Sequence, residues 1–149
     1  MFLFRLLYKL PDLLKSNDLD LRIAGGEAIA LLYELAREEE DEFYGNDVDD
    51  LIDNLKQLST DSQKHRAKKE RRQQRSSFRE ILATVQDGDW PVENIKFNAR
   101  ESLTVEGWTQ KIQYDSFKSI LATGTNFHLT VSYQMGNIVT TKIILGKAL

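Results

Sequence analysis

The chain has 149 residues, 29% of them charged and 41% hydrophobic, with a formal net charge of -3 and no cysteine. That length suits about one domain with a real core, and the missing cysteines exclude disulfides, thiolate metal sites and a secreted fold held by bridges. No run approaches the ~20 apolar residues of a membrane span, and no cleavage site follows the apolar start, so a soluble protein of a reducing compartment is expected, cytoplasmic, nuclear or both.

The opening MFLFRLLYKLPDLLKSND sets Leu3, Leu6, Leu7 and Leu10 on one helical face, with Pro11 interrupting the pattern and Ser16, Asn17 and Asp18 forming a turn. Asp18 is placed to cap the next helix, LDLRIAGGEAIALLYELA. There Leu21, Ala24, Ala28, Leu32 and Leu35 form one stripe, which Ile23, Ile29 and Leu31 widen until the helix is apolar over most of its circumference. Such a helix must be covered on more than one side. Gly25 and Gly26 each cost about 1 kcal/mol against Ala in a helix interior, so they predict the close approach of a neighbouring backbone.

From Glu38 to Asp53 there are nine acids and no base. Val48, Leu51, Ile52, Leu55 and Leu58 still form a helical stripe, capped by Asn46 or Asp47, so the acids take the outer face. A calcium loop counted from Asp47 fails, because Ile52 stands where Gly is needed and Leu58 where Glu is needed. After a break at Ser59 to Ser62 the charge inverts: seven Lys and Arg residues and one acid fall between Lys64 and Arg75. On a helix, Lys64, Lys68, Arg71, Arg72, Arg75 and Arg79 share a face. Ala67 is the only apolar side chain from Lys64 to Ser77, so this half is expected to project into water while Phe78, Ile81, Leu82 and Val85 anchor the other half.

Beyond Val85 the period changes. DGDWP reads as a turn, IKFN and ESLTVEGW as two short antiparallel strands, and SFKSILATG as a helix from Asp115 or Ser116 to Gly124. In the tail, β-branched residues flank Gly136-Asn137 and suggest a hairpin. The expected organisation is a helical region over 1–86 ending in the basic helix, then a small α+β region over 87–149 whose tail after 129 is atypical.

No catalytic, cofactor or metal site is expected. His65 and His128 are the only histidines, no phosphate-binding glycine loop is present, and Gly146-Lys147 lacks the rest of that pattern. The residues with a distinctive pattern are Lys64, Arg66, Lys68, Lys69, Arg71, Arg72, Arg75 and Arg79, which suit phosphate contacts made by shape and charge, since no aromatic interleaves with them for base stacking. Two other readings of this run are a solvated face neutralised by the acidic helix and a nuclear import signal, for which KKERRQQR is the segment.

LPDLLKSNDLDLRIAGGEAIALLYELA resembles a helical repeat of the armadillo or HEAT kind, in which an Asp-x-x-x-Arg element stabilises the turn. More specifically, DLDLRIAGGEAIALLYELAR, LSTDSQKHRAKKERRQQRSSFREIL and IKFNARESLTVEGWTQKIQYDSFKSILATGTNFHL, in this order, resemble the interferon-related developmental regulator family. The likeness runs from about Leu10 to Leu129 and covers the later part of a typical member; VSYQMGNIVTTKIILGKAL departs from it. It implies a mainly α fold, a helical-repeat remnant with a long basic helix and a small two-strand-plus-helix part, in a non-enzymatic scaffold. It implies control of gene expression, by transcriptional co-regulation through protein contacts or by ribosome binding that represses translation through 64–79. The expected partners are therefore transcriptional regulators, the ribosome or structured RNA. A repeat cannot bury its faces alone, so Leu3, Leu6, Leu7 and Leu10 are the expected protein-interaction face and a route to self-association.

Overall fold

The computed structural model describes residues 2–45, 47–61 and 66–134, and the side chains of 5–131 among them. The fold is mainly helical with one small antiparallel sheet, and it divides into two compact units, Met1–Trp90 and Pro91–Leu149.

In the first unit α1 (Phe2–Lys9) gives way at Pro11 to a 3₁₀ turn (Leu10–Lys15). α2 (Leu19–Glu39) begins at Asp18, whose carboxylate accepts from the Leu21 amide at 3.1 Å as expected of a cap. α3 spans Val48–Thr60 and α4 spans Lys68–Asp87. α4 packs against both α2 and α3, and the turn at Leu10–Lys15 lies along α2. Ile29, Leu55, Phe78, Ile81 and Val85 are almost fully enclosed where these helices meet.

The stripe expected on α2 is not the one that faces this core. Ile23, Ile29, Ala30, Tyr33 and Ala36 are buried, whereas Leu21 and Ala24 are exposed and Ala28, Leu31, Leu32 and Leu35 are half-buried. The glycine pair decides the orientation. A Cβ on Gly25 would stand 2.8 Å from Leu13 Cβ, and one on Gly26 would stand 2.8 Å from Ile81 Cδ1 and 2.9 Å from Phe78 Cε1. The close neighbours are therefore side chains rather than the expected backbone. Gly25→Ala gains about 1 kcal/mol of helix propensity but pushes on a Cβ that moves only with the backbone, at an overpacking cost of typically 1–3 kcal/mol. We expect net destabilisation of about 1 kcal/mol in urea unfolding; an unchanged or more stable variant would show that the turn at Leu13 yields freely.

The acidic helix matches expectation over Val48, Leu51, Ile52 and Leu55, which are buried while Asp49, Asp50 and Asp53 are exposed. Asp47 holds the cap position in a left-handed conformation (φ 56°) without a side-chain cap bond, and α3 continues through the expected break to Thr60, with Ser59 buried. α4 ends where DGDWP predicted, at a left-handed Gly88 (φ 76°) whose amide returns to Thr84 O at 3.1 Å.

Arg37 secures that end. Its guanidinium donates to Phe43 O at 3.3 Å, Val85 O at 2.7 Å and Thr84 O, and lies 5.3 Å from the centre of the Tyr33 ring. Hydrogen bonds from a cation to helix C-terminal carbonyls are favoured by the helix dipole. Arg37→Met should cost about 2–3 kcal/mol, given ~1.5–3 kcal/mol for a charged hydrogen bond and some recovery from the retained apolar stem. A shift of the urea midpoint equivalent to less than 0.5 kcal/mol, an order-of-magnitude threshold for a neutral surface change, would show that water replaces the bonds.

In the second unit β1 (Val92–Lys96) pairs antiparallel with β2 (Ser102–Glu106), with Ile95 opposite Leu103 and Glu93 opposite Val105. The connection turns on Asn98, whose Oδ1 accepts from the amides of Arg100 and Glu101 at 2.9 and 2.8 Å. Val105, Tyr114 and Leu129 form the core, joined by Ile95, Phe97 and Leu103.

The helix expected from Asp115 or Ser116 starts earlier. α5 spans Gly107–Leu121, because a left-handed Gly107 (φ 82°) turns the chain directly out of β2 and its amide bonds Pro91 O at 2.9 Å. A short 3₁₀ turn, Ala122–Gly124, leads into α6 (Thr125–Gln134). The strand expected in the tail is thus helix as far as Gln134, and the hairpin at Gly136-Asn137 lies outside the described residues. β-Branched residues prefer strands only weakly, and packing of Leu129 on Tyr114 and Val105 overrides them. Among the described residues no helix is long and apolar enough to cross a membrane.

Candidate nucleic-acid interface

The basic run becomes the first half of α4, beginning at Lys68 rather than Lys64, which lies outside the described residues. Arg66 precedes the helix and is half-buried. Lys68, Arg72, Arg75 and Arg79 follow one another at i, i+4, i+7 and i+11, forming a row about 16 Å long at 1.5 Å per residue. Lys68, Lys69, Arg72 and Arg79 are exposed, and Arg75 is half-buried. Arg71 turns towards the packed side, its Nε enclosed without a hydrogen-bond partner.

This half of α4 does not stand free in water as its composition suggested. Gln74 is buried at 3% exposure and serves as a polar anchor. Its Oε1 accepts from Arg22 Nη2 at 2.7 Å, and its Nε2 donates to Leu58 O and Asp61 Oδ2, both at 3.3 Å. Arg22, itself 3% exposed, also donates through Nη1 to Ser16 O at 2.5 Å. Asp18 and Arg22 thus tie the turn before α2 and extend the tie to α4. Burial holds the Arg22 guanidinium below its ordinary pKa, Arg66 adds to that effect, and Asp61 and Asp18 oppose it. No sequence pattern marked Gln74; an amide between charged residues looks like any solvated position.

Among the described residues no close ion pair ties the acidic helix to the row. None joins Lys68, Lys69, Arg72, Arg75 or Arg79 to an acid of 38–53, and the pairs Lys15–Asp12 at 3.1 Å and Lys56–Asp53 at 3.9 Å lie elsewhere. The cations also sit at the wrong end of the helix for stability. Bases are favoured in a last turn, yet α4 has none there, while Lys68 and Lys69 open it beside uncapped amides. Each such placement costs a few tenths of a kcal/mol, so helix stability does not account for the pattern.

Of the proposed interaction face, Leu6, Leu7 and Leu10 are half-buried, and the side chain of Leu3 lies outside the description. Between Leu7, Tyr8, Pro11 and Leu51 lies a cavity of about 200 Å³ bordered by Asp47 and Asp50. Neither a histidine nor a serine lines it.

Comparison with known proteins places this architecture. Residues 3–86 match the family model described as interferon-related developmental regulator. The chain belongs to that family. It is 44% identical over 131 residues to interferon-related developmental regulator 1 of Mus musculus and 45% identical to that of Sus scrofa, in each case over 88% of this chain and 29% of the relative. It is also 46% identical over 125 residues to interferon-related developmental regulator 2 of Mus musculus, over 84% of this chain and 28% of the relative. The chain therefore spans less than a third of the length of these relatives. The interferon-related developmental regulators are a family of regulators and not a known enzyme family, and the match includes α1 to α4 with the whole basic row.

Proposed function

We propose that this chain is a non-enzymatic regulatory module in the control of gene expression, and that the basic face of α4 contacts the phosphates of structured RNA, ribosomal RNA included. The observation that carries this reading is the row Lys68, Arg72, Arg75 and Arg79, presented on a docked helix with no acid of the neighbouring helix spent on it. Gln74 and Phe78 hold the row rigid from behind, so binding orders little backbone. The lack of interleaved aromatics favours folded RNA over unpaired strands. Family membership supports a regulatory role in development, as the names of the relatives state for those proteins. Binding to purified ribosomes and to a structured RNA, beside a Lys68→Glu, Arg72→Glu, Arg75→Glu variant, tests the proposal.

A second reading, transcriptional co-regulation through protein contacts, draws on the apolar surface of the first unit, where Tyr8 is 80% exposed. It predicts that the charge-reversed variant keeps its partners. Either reading places the protein in the cytoplasm, the nucleus or both.

A further inference from the structure

α2 carries a second apolar face that nothing described in the first unit fully covers. Leu21 (46% exposed) and Ala24 are exposed, and Ala28, Leu31, Leu32 and Leu35 continue the row half-buried on the side away from Gly26, Ile29, Ala30 and Tyr33. From Leu21 to Leu35 the row is about 21 Å long, roughly four turns. Its ends are acidic: Asp20 is exposed at one end and Glu38, Glu39 and Glu40 at the other. No cation balances them within α2, because Arg22 and Arg37 are its only two and both turn inward to Gln74 and to the end of α4.

We propose that this face is a docking site for an amphipathic helix of a partner protein with an apolar stripe of about four turns and Lys or Arg at both ends. The charge pattern argues for that occupant against a second copy of this chain. Antiparallel pairing of two α2 helices sets Asp20 against Glu38 and Glu39, and parallel pairing sets each acidic end against itself; like charges so placed are destabilising. The basic row of another copy supplies cations at Lys68, Arg72, Arg75 and Arg79 but no apolar stripe between them. A helix laid along the Leu21 to Leu35 row satisfies both features at once. The site lies on a different helix from the basic row and is independent of RNA binding.

The probe is a fluorescent peptide of roughly three heptads with Leu at a and d and Lys at both ends, compared with the same peptide ending in Glu. The full chain should bind the Lys-ended peptide at least about tenfold more tightly. Leu21→Glu with Ala24→Glu should weaken that binding by at least about tenfold. Both changes add negative charge, so a purely electrostatic attraction would instead strengthen. Both positions are exposed and Glu is a good helix former, so circular dichroism should show the fold retained. Asp49→Asn with Asp53→Asn on α3 should leave binding unchanged. Binding of neither peptide, equal binding of both, loss on the α3 changes alone, or a wild-type dimer in sedimentation that Leu21→Glu dissociates would each overturn the proposal.

Discussion

Changing Lys68, Arg72 and Arg75 to Glu should abolish binding to structured RNA while leaving the chain folded. Phosphate contacts release counterions, giving a slope of log K against log salt of about -0.7 to -0.9 per phosphate neutralised. Four contacts, from Lys68, Arg72, Arg75 and Arg79, predict a wild-type slope of about -3 to -4, or a loss of roughly a hundredfold in affinity between about 50 and 200 mM salt. Reversal removes three contacts and sets three like charges against the backbone, so affinity should fall by at least about a hundredfold and the slope should flatten towards zero. Stability should change by no more than about 0.5 kcal/mol, because Lys68 and Arg72 are exposed, Arg75 is half-buried, and Glu at position 68, the first of the helix, suits its dipole. Binding that survives reversal with its salt slope intact would move the interface off α4. A wild type that binds neither ribosomes nor RNA would leave the row as a solvated or import element.

The second large effect concerns what holds that row in place. Gln74→Leu should destabilise the first unit by about 2–4 kcal/mol. A hydrogen bond to a charged group is worth about 1.5–3 kcal/mol and each buried polar group left unsatisfied costs about 1–3 kcal/mol, while the apolar gain of Leu offsets part of the sum. Here the stranded charge is Arg22, which keeps its bond to Ser16 O while its Nε already lacks a partner, and Leu58 O and Asp61 lose the Gln74 amide. Urea unfolding gives the free energy. Hydrogen exchange should localise the loss to the first half of α4, whose protection falls before that around Phe78, Ile81 and Val85. The variant keeps every cation, so RNA affinity should fall far less than on charge reversal. A change below about 0.5 kcal/mol, within the range of neutral surface substitutions, would mean that water or Asp61 takes over Arg22 and that the buried bond is not an anchor.

The same two helices show how far the sequence reading reached. The cap at Asp18, the buried row Val48, Leu51, Ile52 and Leu55, the stop at Gly88 and the second strand with Leu103 and Val105 were all legible, as was the segregation of acids from bases that singled out Lys68 to Arg79, whereas the first strand, expected at IKFN, runs earlier over Val92–Lys96. Each depends on residues within a turn or two of one another, so local hydrogen bonding and periodicity suffice to encode it. The helix α5 was legible only in part, because its start rests on one glycine in a left-handed conformation bonded back to Pro91.

By itself, then, the sequence determined the helical class, the two antiparallel strands, the family and the run of cations. Only the tertiary structure decided which side of α2 is core, since a helix apolar all round has no preferred face until Leu13, Phe78 and Ile81 meet its glycines. It likewise decided that Gln74 is buried, because the group that satisfies it, Arg22, lies 52 residues away in the chain. A polar side chain goes inside only when such a partner is already there to receive it.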